Sequence, residues 1–217
     1  MFNRLKLFFV KPTELFRDYI EKPVWGLKLL IISLVIGLYT YGSKILGEDL
    51  YIEMMEEKAA AMAPEQAEAL RATVALTNSP VMNVVAAAAG AVSAIVIILL
   101  VALVYMAFIR VLKGNIKYKQ VLAVYTLAYM ASVIGMVVRL AYMYFSGNLV
   151  YLDLNPTLKD VLLNNLDPFI IWQSILMVFG ISIVSGIPER KSIIVVAGMW
   201  LAALAVSFGS VMLANMV

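Results

Sequence analysis

The chain contains no histidine and no cysteine. Their absence removes most zinc and copper sites, thiol nucleophiles, Ser-His triads and disulfides. It also removes the side chain that most readily changes charge near neutral pH. Charge itself is scarce. Asp, Glu, Lys and Arg make up 14% of the 217 residues, against roughly a quarter in a soluble domain. The net charge of +3 is too small to point to nucleic acid. What fills the chain instead is apolar: 63% of residues are hydrophobic and the mean hydropathy is +0.92. That is more apolar surface than one water-facing core hides. The class implied is an all-α polytopic membrane protein.

Five apolar runs are long enough to cross a bilayer, which takes about 20 helical residues. They cover 24–42, 81–109, 120–145, 168–187 and 192–214. The second would reach about 43 Å at 1.5 Å per residue, so it must tilt or protrude. The first begins behind a charged segment of more than twenty residues. That position suits a retained span better than a removable signal peptide.

Lys and Arg set the orientation. Arg4, Lys6, Lys11, Arg17 and Lys22 precede the first span, and Lys28 lies just inside it. The loop after the second span carries Arg110, Lys113, Lys117 and Lys119 and no acid, and the turn PERK carries Arg190 and Lys191. The alternate loops are acidic: seven acids against three bases in 43–80, and three acids against one lysine in 146–167. The positive-inside rule places the N-terminus and the basic loops in the cytoplasm and the C-terminus on the far side.

Outside the spans, two segments read as helical. Leu15, Phe16, Tyr19 and Ile20 share one helical face, while Glu14, Arg17, Asp18 and Glu21 take the other. Thr13 is the expected N-cap and Pro23 the stop. With Phe2, Leu5, Leu7, Phe8 and Phe9 before it, residues 1–23 fit a helix lying in the cytoplasmic interface, or one packed under the bundle. The acidic loop 43–80 reads as an extracytoplasmic helical hairpin: Glu48–Met62, then a second helix from Pro64 with Glu65 and Glu68 near its N-terminal end. Glu53, Glu56 and Glu57 read as a solvated face rather than a cation site.

Within the spans, Ala86, Gly90 and Ala94 fall four apart. Gly198, Ala202, Ala205 and Gly209 form a similar stripe in the fifth span. Small residues let helix backbones approach closely in lipid, so both stripes are candidate packing faces, within the chain or in a homo-oligomer. Arg139 is the one strong charge inside an apolar run. A charge at the bilayer centre costs about 2.5–3.5 kcal/mol on insertion scales. Arg139 either snorkels to the outer headgroups or pairs with Asp167 or Asp153. Asp167 is a good N-cap, Pro168 a good first helical residue, and Trp172 sits where interfacial Trp is enriched.

The stretch from Asn165 to Gly180, with Asp167, Phe169, Trp172 and Gly180 in order, resembles the late signature of the Yip (Ypt-interacting-protein) family, in its prokaryotic branch. KPTELFRDYIEKP is similar to that family's entry segment, IKYKQVLAVYTLAYM to its basic loop and third span, and APEQAEAL to a loop usual in its bacterial members. The resemblance implies five helical spans, a cytoplasmic N-terminus and a prokaryotic plasma membrane. Eukaryotic relatives associate with small GTPases. Their Asp-Leu-Tyr-Gly-Pro motif is missing here, since Asp49-Leu50-Tyr51 is followed by Ile52, so that role is not carried over.

The function expected is a non-enzymatic membrane organiser, a scaffold or adaptor whose partners are membrane lipids and other membrane proteins. The alternative is a lipid-binding or transport protein using a groove between spans, with Arg139 and Arg110 or Lys113 at the headgroups on either side. No cofactor, metal or nucleic acid is expected. An intramembrane enzyme would want a His, a Cys or an acid pair at depth, and the sequence offers none.

Overall fold

Prolines open four of the helices. Pro12, Pro64, Pro80 and Pro168 each occupy the first helical turn, where a missing N–H costs nothing and φ is already helical. The computed structural model describes residues 7–149 and 157–214. Nine helices are named here: α1 Pro12–Glu21, α2 Gly26–Leu46, α3 Glu48–Ala60, α4 Pro64–Thr77, α5 Pro80–Val111, α6 Tyr118–Ser146, α7 Leu158–Asn165, α8 Pro168–Ser185 and α9 Glu189–Ala214. Residues 7–10 are also helical, and no strand occurs among the described residues. Helices α2, α5, α6, α8 and α9 are long and apolar enough to cross a membrane. The fold class is therefore all-α with five candidate spans. The expectations at Phe2, Arg4, Leu5, Lys6 and Asp153 lie outside the described residues.

The chain divides into two compact units. One comprises Met1–Ile32, Ile95–Ile134 and Pro156–Val217. In it α1 and α9 both pack on α8, and α7 packs on α9. Val161 of α7 meets Leu204 and Val211 of α9, flanked by Trp200 and Phe208. Tyr105 of α5 stands 5.7 Å from Tyr125 of α6, ring centre to ring centre. The Tyr118 hydroxyl donates to Leu99 O at 2.9 Å. Helix α6 is the most enclosed of the five spans. Its most apolar stretch is 56% buried, against 22–33% for the others, and Val121, Leu122, Ala123, Val124 and Ala128 are sealed.

Helix ends in this unit are closed by local chemistry. Lys113 N donates to Arg110 O at 2.9 Å and Gly114 N to Ile109 O at 2.9 Å, the paired bonds of a Schellman ending. Lys113 takes the left-handed position, with φ 66°. At α7, Asp160 N donates to Thr157 Oγ1 at 3.3 Å and Thr157 N donates back to Asp160 Oδ2 at 3.0 Å, a reciprocal capping box. The hydrogen bonds from the Thr157 hydroxyl and amide hold the Asp160 carboxyl below its usual range.

The other unit comprises Ser33–Ala94 and Gly135–Asn155. Here the later turns of α2 lie against the first turns of α5 at close range. A Cβ placed on Gly37 would come 3.0 Å from Ala87 O, and one on Gly90 would come 3.0 Å from Thr40 Oγ1. Gly42 faces Leu140 of α6 just as tightly. Lys44 Nζ donates to Thr77 O at 3.0 Å. Helices α3 and α4 pack together, and Arg71 forks onto Glu56 with three N···O distances of 3.0–3.1 Å. That hydrogen-bonded pairing, more than the charge alone, raises the Arg71 pKa.

One sequence expectation is corrected. Thr13 does not cap α1; Lys11 holds that position, without a side-chain hydrogen bond. Pro12 explains the shift. Its fixed φ fits the first helical turn, so the helix begins one residue before Thr13 can act as a cap.

Candidate functional site

Helix α1 is too short to cross a membrane, yet it is seated firmly in the first unit. Phe16 is 0% exposed. Its ring lies against Gly180 of α8, where an added Cβ would stand 2.9 Å from Phe16 Cε1 and 2.4 Å from Val124 Cγ1. Only a glycine lets α1, α6 and α8 meet at this point. Glu14, Arg17, Asp18 and Glu21 remain exposed on the other face of α1.

Beside α1 runs an open groove of about 1150 Å³. Its walls are α1, the segment leading into α2, the first turn of α2, and one face of α6. Leu127, Met130 and Ile134 line it from α6; Arg17, Asp18, Glu21, Lys22 and Lys28 bring charge to its rim. The Lys28 ammonium lies 4.8 Å from the centre of the Tyr19 ring and also donates to Val24 O. Gln120 Nε2 donates to Ile20 O at 2.8 Å, fixing the start of α6 to the end of α1.

Three basic segments of this unit meet at one end. Besides the Gln120–Ile20 bond, Asn115 N donates to Ser185 O at 3.2 Å and Lys191 Nζ donates to Leu112 O at 3.3 Å. The end of α1, the 112–117 loop and the turn between α8 and α9 are thereby tied together. Arg110 and Lys113 lie exposed at the same loop.

The remaining candidate residues are distributed as follows. Asp167 caps α8, its Oδ1 accepting from Phe169 N at 2.8 Å and Ile170 N at 3.4 Å. Trp172 is half-buried in the next turn, and its indole N–H is covered with no acceptor among the described residues. Arg139 is half-buried in α6, in the unit that does not contain Asp167. On α5, Ala94 is buried and Ala86 and Gly90 half-buried; Gly90 meets Thr40 of α2, while Ala87 and Ala91 meet Gly37 of α2. On α9 the packed side is Ser192, Val195, Val196, Leu204 and Val211. Gly198, Ala202 and Ala205 are exposed, and Gly209 has open space where a Cβ would go.

Two contacts escaped the sequence. Ser132 Oγ donates to Gln173 Oε1 at 2.5 Å, joining α6 to α8. Neither residue belongs to a recognisable pattern; a polar residue inside each apolar run was the available signal. The groove was the other. Its α6 stripe at i, i+3 and i+7 reads as core until α1 is seen to leave it open.

No group of three or more Asp and Glu close enough to hold a metal occurs among the described residues. The arrangement offers a fixed polar platform with an apolar groove beside it. Compared with known proteins, the chain matches the family model described as Yip1 domain over residues 6–211. No curated protein and no solved structure matches it. Since the matched segment covers nearly the whole chain and the fold supplies five apolar helices of spanning length, this is an integral membrane protein belonging to the Yip1 domain family.

Proposed function

We propose that this protein organises other membrane components without catalysing a reaction, as a scaffold or adaptor. The observation that carries the reading is the seat of α1. Burial of Phe16 against Gly180 makes a short amphipathic helix a fixed part of the domain, with Glu14, Arg17, Asp18 and Glu21 turned outward. A rigid charged platform at the end of a helical bundle suits recognition of partners at the membrane surface.

In this reading residues 1–23 form a cytoplasmic interfacial segment and 24–217 the membrane domain. The three basic segments that meet at one end of the first unit support that orientation. Crowding Arg110, Lys113, Lys117, Lys119, Arg190 and Lys191 at one end is the distribution the positive-inside rule assigns to the cytoplasm. The α3–α4 hairpin and the C-terminus then lie outside a prokaryotic plasma membrane. Arg139 snorkels to the outer headgroups or pairs with Asp167. The exposed Gly198, Ala202 and Ala205 give a second copy a face on which to pack.

The test is photo-crosslinking in native membranes from a probe at Glu14 or Asp18. Discrete protein adducts, lost when Arg17→Glu reverses the platform charge, are expected. Substrate flux or turnover by the purified protein in liposomes, with no adducts in cells, would replace this reading with transport or catalysis.

A further inference from the structure

The groove beside α1 changes character along its length. At one end, where Gln120 holds Ile20, the rim is charged. From there Leu127, Met130 and Ile134 continue along one face of α6. Leu127 to Ile134 covers about 10 Å of α6 at 1.5 Å per residue. One leaflet of a hydrocarbon core about 30 Å thick is about 15 Å deep. With its charged rim at headgroup level, the groove's apolar floor would lie within one leaflet. Its volume, about 1150 Å³, is above the usual 300–1,000 Å³ of small-molecule pockets. A charged rim and an apolar floor that fits within one leaflet match a single phospholipid better than any water-soluble ligand.

The rim discriminates among headgroups. Arg17, Lys22 and Lys28 bring three cations, and Asp18 and Glu21 bring two carboxylates among them. A purely anionic headgroup would meet the cations but sit beside two like charges. A headgroup with both a phosphate and an ammonium meets an opposite charge at each. Lys28 is held at the groove's edge by the Tyr19 ring and the Val24 carbonyl, on the first turn of a span, where headgroup phosphates lie.

We infer that this groove binds one zwitterionic phospholipid bearing a primary amine. Its phosphate faces Lys22 and Lys28, its ammonium faces Asp18 and Glu21, and one acyl chain lies along Leu127, Met130 and Ile134. The inference holds whichever side of the membrane α1 occupies.

The experiment is native mass spectrometry of the full chain in mild detergent with equal amounts of phosphatidylethanolamine, phosphatidylglycerol and phosphatidylcholine. The wild type should retain one phosphatidylethanolamine per chain, at least threefold over the other two. Met130→Trp, which fills the floor, should lower that retention at least tenfold. Asp18→Asn with Glu21→Gln removes both rim carboxylates at near-constant shape and should abolish the preference over phosphatidylglycerol; it decides alone if Met130→Trp does not fold. The inference is overturned if the wild type holds no lipid, if it holds all three equally, or if the rim variant keeps the wild-type preference.

Discussion

Phe16 and Gly180 fit each other so closely that the glycine has no room for a methyl group: a Cβ there would stand 2.9 Å from the ring and 2.4 Å from Val124 Cγ1. Gly180→Ala should therefore overpack the junction and destabilise the protein by about 1–3 kcal/mol. Val124→Ala in the same chain should restore part of the loss, because it removes the nearest clashing atom. Thermal unfolding in detergent reads both effects. An unchanged midpoint for Gly180→Ala would show that the junction is looser than described.

Ser132 and Gln173 join two spans through one hydrogen bond. Interhelical hydrogen bonds in membranes average about 0.6 kcal/mol and reach about 1.7. Ser132→Ala and Gln173→Leu should each cost within that range, and the double variant should cost less than the two together. Strict additivity in the cycle would mean that the bond contributes nothing.

The absence of cysteine makes orientation directly measurable. Lys58→Cys, on α3, and Lys113→Cys, in the basic loop, each introduce a single thiol. A membrane-impermeant maleimide added to intact cells should label the first and spare the second until the membrane is opened. The reverse pattern would invert the proposed topology.

Asp160 gives a pH response confined to α7. Its carboxyl titrates below the ordinary Asp value of about 3.9 because Thr157 holds it ionised. A group with a lowered folded pKa contributes stability above its unfolded value and loses it as pH falls through the folded one. Protection of the first amides of α7, relative to their unstructured exchange rates, should fall as pH drops from the unfolded Asp range, about 4, through the lowered folded value. Asp160→Asn should show lower protection there at neutral pH and little further loss of protection on acidification.

The spans were legible because 20-residue apolar runs have few alternative meanings. The starts of α4 and α8 were legible for a local reason: Pro64 and Pro168 satisfy the first turn whatever surrounds them. Which faces meet was harder to read. In a chain this apolar, hydrophobicity does not distinguish lipid from protein, so the regular Gly198–Ala202–Ala205 spacing gave no sign that this side of α9 is exposed. The bond between Ser132 and Gln173 depends on the register of two helices that are not consecutive in the chain, which no short window encodes.

The seat of Phe16 also orders events in time. Chains are made from the N-terminus, and α8 follows α1 only after three spans have been synthesised. Until then the pocket for the Phe16 ring is incomplete, and the nascent helix can bury its apolar side on the membrane surface. Native docking of the first helix is thus a late step in biogenesis, and a chain ending after the third span lacks the surface that receives it.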